Sequence, residues 1–292
     1  MPRVKSVWAV VAALALFATQ AWGQAMAIPE EFRDMVTTDL GNGVYTFGNF
    51  SRRSVFLVTD AGVIATDPVS TGFAAAYRKA IAAVTPLPVK YVVYSHQHWD
   101  HASGGAVFKQ EGATFISHEK CLAHFDAHPN PAVVRPDKTV NGDDAVQLGK
   151  RQLRLFYYGV NHGDCMLVMQ ADGSDMLYVN DLVTPFSIGL GFMPDYDPAG
   201  WIDSLKRMEA RNDWSRLVGG HGIPGAPRAA MTERRRFLEA VMASVKKDFD
   251  AGKPLDEIIK TTDLPEFKSI RGYDAQIGRA AERMYHYFEM GW

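Results

Sequence analysis

Four side chains able to bind a metal stand within six residues of one another in His96-Gln97-His98-Trp99-Asp100-His101. In an extended segment, residues two apart point the same way, so His96 and His98 can reach one ion. Asp100 and His101, after a turn, can serve a second. His162 in Asn161-His162-Gly163-Asp164, Asp181 after Tyr178-Val179-Asn180, and His221 in Gly220-His221-Gly222 could complete the pair of sites, although each would be weak alone. Imidazole nitrogens and carboxylate oxygens suit zinc, and two ions about 3.5–4 Å apart would hold a water or hydroxide between them. Three ligands per ion leave a position open, which is a catalytic arrangement rather than a structural one. The expected chemistry is attack on a carbonyl or related centre by a water whose pKa the metal lowers to about 7, with Asp100 orienting it. In a chain with nine histidines, four such residues directly behind a buried strand are too dense for an ordinary solvated turn.

Each candidate follows the carboxyl end of an expected strand, where loops gather residues from distant parts of a chain. Residues 43–47 and 54–58 read as a hairpin, 63–66 as the next strand, and Tyr91-Val92-Val93-Tyr94 as the buried strand that opens into His96. Residues 71–84 read as an amphipathic helix stopped by Pro86 and Pro88. Residues 153–158, 165–170, 176–179 and 216–218 are strand-like. Asp197-Pro198 is a helix start, an acid at the N-cap and proline at the first helical position, with Trp201, Leu205 and Met208 on one face behind it. Residues 229–250 and 275–288 are expected helices, with a broken connection from 254 to 272. No composition shift marks a linker. Strands followed by helices, twice over, imply one domain of two sheets flanked by helices, occupying residues 24–292.

The N-terminus reads as a leader. Arg3 and Lys5 form a positive region, residues 7–18 an apolar run too short to cross a membrane, and Ala21-Trp22-Gly23 a cleavage site near Gly23/Gln24, with Ala27/Ile28 as a second option. Residues 1–23 are therefore an expected signal peptide, and the mature protein is expected to be periplasmic or secreted, with no membrane contact after cleavage. Removing two basic residues leaves 29 against 33 acidic ones, a net charge near −4. That balance argues against a nucleic-acid partner, which usually needs a basic face. At 47% hydrophobic and 22% charged, the composition excludes a disordered, collagen-like or coiled-coil chain.

These residues carry a resemblance. From the opening hairpin and Thr66-Asp67-Pro68, through Ser95 to His101, to His162, Asp181 and His221, the chain resembles the metallo-β-lactamase-fold hydrolases over essentially its whole mature length. The resemblance implies an α/β fold, a four-layer αββα sandwich of mixed sheets flanked by helices, with metals at one edge of the two sheets. It implies His96, His98 and His162 on a first metal, Asp100, His101 and His221 on a second, and Asp181 bridging, with Asp67 a structural acid near the site. The β-lactamases proper usually place Cys or Ser where Asp181 stands, so the chain looks more like the glyoxalase II, lactonase and alkylsulfatase-type branches. Flavodiiron proteins carry Glu at the position of His98, and the tRNA-processing members conflict with export and negative charge.

Other residues attract blander expectations. Cys121 and Cys165 could pair in an exported protein or remain buried thiols, and Cys165 reads as a core thiol on a strand. The apolar loop 185–197, with Phe186, Ile188, Leu190, Phe192, Met193 and Tyr196, reads as a pocket wall. Arg52 and Arg53 could meet a substrate carboxylate, but a solvated hairpin tip is the simpler expectation. His118, His124 and His128 read as polar surface, and His286 as packing in the last helix.

The function so implied is an exported dinuclear zinc hydrolase acting on an ester, thioester or lactone of a small-molecule substrate, with iron or manganese as other possible metals. The alternatives are a β-lactamase-type amide hydrolase, a mononuclear-iron persulfide dioxygenase-like oxidoreductase, and a non-catalytic metal-binding accessory protein.

Overall fold

The computed structural model describes residues 4–5, 28, 30–189 and 194–291. The expected leader lies outside these residues except for β1 (Val4–Lys5), which pairs in parallel with Thr37 and Thr38. Fourteen strands form two mixed sheets among the described residues. The first sheet runs in sequence order: β1, β2 (Val36–Gly41), β3 (Val44–Gly48), β4 (Arg53–Val58), β5 (Val63–Thr66), β6 (Val89–Val93), β7 (Thr114–His118) and β8 (Lys138–Val140). It is antiparallel from β2 to β5 and parallel from β5 to β8. The second has the order β14 (Ala226–Pro227), β13 (Arg216–Gly219), β12 (Met176–Asn180), β11 (Leu167–Ala171), β10 (Arg151–Tyr157), β9 (Asp144–Leu148). It is antiparallel except for the β12–β13 pair.

Strand periodicity divides the interior into three cores. Val55 and Leu57 on β4, Leu153 and Leu155 on β10, Leu167 and Met169 on β11, and Met176 and Tyr178 on β12 meet between the sheets. Their neighbours Phe56, Val168, Leu177 and Val179 turn outward to helices. Helix α1 (Thr71–Val84) buries Phe73, Ala74, Tyr77, Ala80 and Ile81, one helical stripe, on the outer face of the first sheet. Its N-cap Ser70 hydroxyl accepts from Phe73 N at 3.3 Å. Two short helices, α2 (Trp99–Ala102) and α3 (Ala106–Gln110), and then α4 (Cys121–Ala127), complete that side. On the second sheet lie α5 (Pro198–Glu209), α6 (Ala229–Asp250), α7 (Leu255–Thr261) and α8 (Tyr273–Met290). The Asp197 carboxylate caps α5 by accepting from Ala199 N and Gly200 N. The layers are helix, sheet, sheet, helix, as the resemblance implied.

The broken connection 254–272 holds α7 and a 3₁₀ turn at Pro265–Phe267, which sequence reading left unassigned. Strands β2 and β7 and helix α4 were also unanticipated, because their polar residues blur the apolar alternation. Cys165 lies two residues before β11 rather than on it. It is not a free thiol: Cys121 and Cys165 form a disulfide joining α4 to the segment that follows His162.

Candidate metal centre

Five strand ends deliver the site. Asp67 follows β5, His96 to His101 follow β6, His162 follows β10, Asp181 follows β12 and His221 follows β13. The structure brings all seven anticipated metal-type side chains to one edge of the two sheets. His96, His98, His162 and Asp181 form one group of donors, and Asp100, His101 and His221 another, with one donor atom per residue lying within 4.8 Å of the others in its group. Asp181 stands between them. Its Oδ2 is 3.5 Å from His162 Nε2 and 3.8 Å from His96 Nε2, while its Oδ1 is 3.3 Å from both His101 Nε2 and His221 Nε2. Asp100 Oδ2 approaches His101 Nε2 to 3.8 Å from the solvent side.

The far side of most imidazoles is held. His96 Nδ1 meets Ser95 Oγ at 2.9 Å, His98 Nε2 meets Asp195 Oδ2 at 2.8 Å, and His221 Nδ1 meets the Ser51 carbonyl at 2.6 Å. His98 therefore turns Nδ1 inward, 3.2 Å from His162 Nε2. Such partners orient a histidine for metal binding. Beneath them, Asp67 accepts from Ser95 N at 2.7 Å, Tyr178 OH at 2.7 Å and Asn180 Nδ2 at 2.8 Å. Asp67 and Asn180 have φ of 30° and 42°, left-handed values that the surrounding hydrogen bonds must sustain. Gly220 completes the floor, where a Cβ would lie 2.2 Å from Asn180 Oδ1 and 2.8 Å from His101 Cε1.

Metal fits this donor set. His96 Nε2, His101 Nε2 and Asp181 Oδ1 are buried without a hydrogen-bond partner among the described residues, and all three atoms face the space between the two groups. Buried polar atoms normally find partners, so three convergent orphans mark a place for a cation.

The sequence model of the metallo-beta-lactamase superfamily matches residues 48–221, the span from the end of β3 to the last of these histidines. The chain belongs to the metallo-beta-lactamase superfamily. Among solved structures it is similar to a metallo-beta-lactamase from Pontibacter korlensis, with a TM-score of 0.64 and 19% identity, covering 70% of this chain and 99% of that one. Among curated proteins it is 28% identical, over 195 residues, to the 2,4-dinitroanisole O-demethylase subunit alpha of Nocardioides sp. (strain JS1661). That alignment takes in 65% of this chain and 59% of the relative's length, less than two thirds of the relative. Members of this superfamily usually bind metal, and the His/Asp cluster of this chain is able to hold one.

Electrostatics in this superfamily member match a site built for positive charge. Burial alone would raise the Asp181 carboxyl, but His101 and His221 hold it well below the usual carboxylate range. Burial would lower His101, yet Asp181 carries it up to about 9. Burial and the neighbouring His98 and His101 push His96 well below the ordinary imidazole value, and burial takes His162 down to about 4. Burial would also raise Asp195, but its hydrogen bond to His98 brings it down to about 2.

The residues outside the cluster correct several expectations. Arg53 is fully buried rather than solvated: Nη2 donates to the Asn49 and Gly222 carbonyls, and the guanidinium lies over Phe32. Its tip neighbour Arg52 turns toward Asp100 and His221. Of the supposed pocket wall, Ile188 and Tyr196 are buried in the helix-side core and Phe186 packs against it, because the loop folds onto α5 and α6; Leu190, Phe192 and Met193 lie outside the described residues. His118 is buried and stacked on Tyr157, at 4.0 Å between centroids, instead of lying on a polar surface. His124 pairs with Asp164 at 2.7 Å, and His128 is exposed. His286 rests against Tyr285 and reaches Glu289 at 3.2 Å. The partner that sequence reasoning missed is Asp195. Its only signal was an acid in an otherwise apolar loop following a candidate ligand.

Proposed function

We propose that this chain is an exported dinuclear zinc hydrolase acting on an ester, thioester or lactone of a small molecule. The observation that carries the reading is Asp181, whose two oxygens face separate groups of histidines. His96, His98 and His162 would hold one ion, Asp100, His101 and His221 the other, and Asp181 both. When bound, such a pair supplies Lewis acidity and lowers the pKa of a bound water toward 7. The chain's own residues do the rest. Asp195 and Ser95 fix the rings of His98 and His96. Asp100, on the solvent side of the second group, orients the attacking water. Export is supported by the leader pattern in residues 1–23 and by a disulfide, which persists in oxidising compartments.

A second reading is favoured by the relative named as a 2,4-dinitroanisole O-demethylase subunit, which directs attention to aryl methyl ethers. Elemental analysis of protein recovered from the periplasm, with a panel of ester, thioester, lactone, cephalosporin and 2,4-dinitroanisole substrates, separates the two. Zinc near two equivalents with turnover of the carbonyl substrates is the expected result. Full activity and metal content in His98→Ala or Asp181→Ala would remove the assignment.

A further inference from the structure

The β3–β4 hairpin tip is built as a rigid mount. Asn49 N donates to the Arg52 carbonyl at 2.9 Å, and Asn49 Oδ1 accepts from Ser51 N and Arg52 N at 2.9 and 3.0 Å. The mount is tied to the loop that carries His221, since Gly222 N donates to the Phe50 carbonyl at 2.8 Å and buried Arg53 bridges the Gly222 and Asn49 carbonyls. Arg52 projects from it over the second donor group. Its Nη2 is 3.5 Å from Asp100 Oδ2 and its Nη1 is 3.3 Å from His221 Nδ1.

Neither contact satisfies the guanidinium. His221 Nδ1 lies 2.6 Å from the Ser51 carbonyl, so that nitrogen carries a proton and cannot accept another. The approach to Asp100 is longer than a charge-assisted hydrogen bond, which runs about 2.7–2.9 Å. The one firm acceptor among the described residues is the Ser51 carbonyl, 2.8 Å from Nη1, and the side chain remains 39% exposed. A planar fork with free donors, fixed at the rim of a hydrolytic centre, matches a carboxylate in two-point geometry.

We propose that Arg52 is the specificity-determining residue of the site and receives a carboxylate that the substrate carries beside its scissile bond. The proposal rests on the metal-hydrolase reading and narrows it to anionic substrates. Arg52 binds the carboxylate through Nε and Nη2, and the neutral analogue loses both hydrogen bonds.

The test uses the full-length mature protein loaded with cobalt(II) and two thiols of equal size, 3-mercaptopropanoate and 3-mercaptopropanamide. Thiolate-to-cobalt absorption reports affinity without turnover. Wild type is expected to favour the carboxylate by about ten- to a hundredfold, the range of hydrogen bonds to a charged group. Arg52→Ala should bring the ratio to about one while retaining its metal, and Arg52→Lys, a point charge without the fork, should recover part of it. A ratio unchanged in Arg52→Ala, or a wild-type ratio of one in protein that binds both thiols, overturns the role of Arg52 and leaves the metal centre standing. Loss of metal from Arg52→Ala assigns the residue to holding Asp100 and also overturns it. Failure of wild type to bind cobalt or either thiol removes the metal-centre reading and the proposal with it.

Discussion

Asp195 Oδ2 lies 2.8 Å from His98 Nε2 and also accepts from Gln97 Nε2 at 3.1 Å. One carboxylate from the loop after β12 thus sets the ring orientation of a histidine from the loop after β6, ninety-seven residues away. Removing it as Asp195→Ala should weaken metal binding by about ten- to a hundredfold, the usual cost of losing such a partner. Competition against a chromogenic chelator measures this. Unaltered affinity would mean that His98 is held by its other neighbours.

Gly220→Ala places a methyl 2.2 Å from Asn180 Oδ1 and 2.9 Å from Asp181 Oδ1. Both neighbours are buried, and Asn180 is held through its Nδ2 by Asp67 and Ser95, so it cannot retreat freely. Overpacking of this kind costs about 1–3 kcal/mol, and here the displaced groups are those that position the bridging carboxylate. The variant should fold, melt lower and retain less than wild-type metal. Thermal denaturation with elemental analysis on the same sample checks both effects.

The Cys121–Cys165 bridge closes a loop with a sequence separation of 44. The chain-entropy relation gives about 4 kcal/mol for a loop of that length. Cys121→Ser/Cys165→Ser should therefore lower the urea midpoint substantially, as should dithiothreitol with wild type, while the double variant becomes insensitive to reductant. A midpoint shared by oxidised and reduced wild type would contradict the linkage.

His118 contributes to the pH dependence of stability from outside the metal centre. Burial, with Lys120 nearby, lowers its pKa below the ordinary 6.5. The unfolded chain therefore takes up a proton first as pH falls, and the folded state loses stability through that window. The contribution of this residue is complete above about pH 6.5 and declines below it, toward the depressed folded value. His118→Phe keeps an aromatic ring on Tyr157 without the titration. Its melting temperature should fall less than that of wild type between pH 7.5 and 5.5, and parallel declines would refute the assignment.

Much of the scaffold was legible from local pattern. The stripe of residues 71–84, the alternation in β4 and β10–β12, and the Asp197-Pro198 start each reflect contacts within a few residues, where side-chain direction follows backbone period. The metal-type side chains were legible for a related reason: four are adjacent in sequence, and the other three follow the ends of recognisable strands. Arg53 and His118 were misread because polar residue type suggests solvent, whereas carbonyls at 49 and 222 and a ring at 157 made burial tolerable.

The chain's residues by themselves determined which side chains could bind metal, and that sheets and helices alternate around them. Only the tertiary structure decided that Asp181 faces two groups at once, that Asp195 holds His98, that the cysteines pair and that Arg52 overlooks the site. Sequence period encodes which way a side chain leaves its own strand or helix. Distances between loops at opposite ends of a chain arise only when separate elements pack, because they depend on every contact that fixes two sheets against each other.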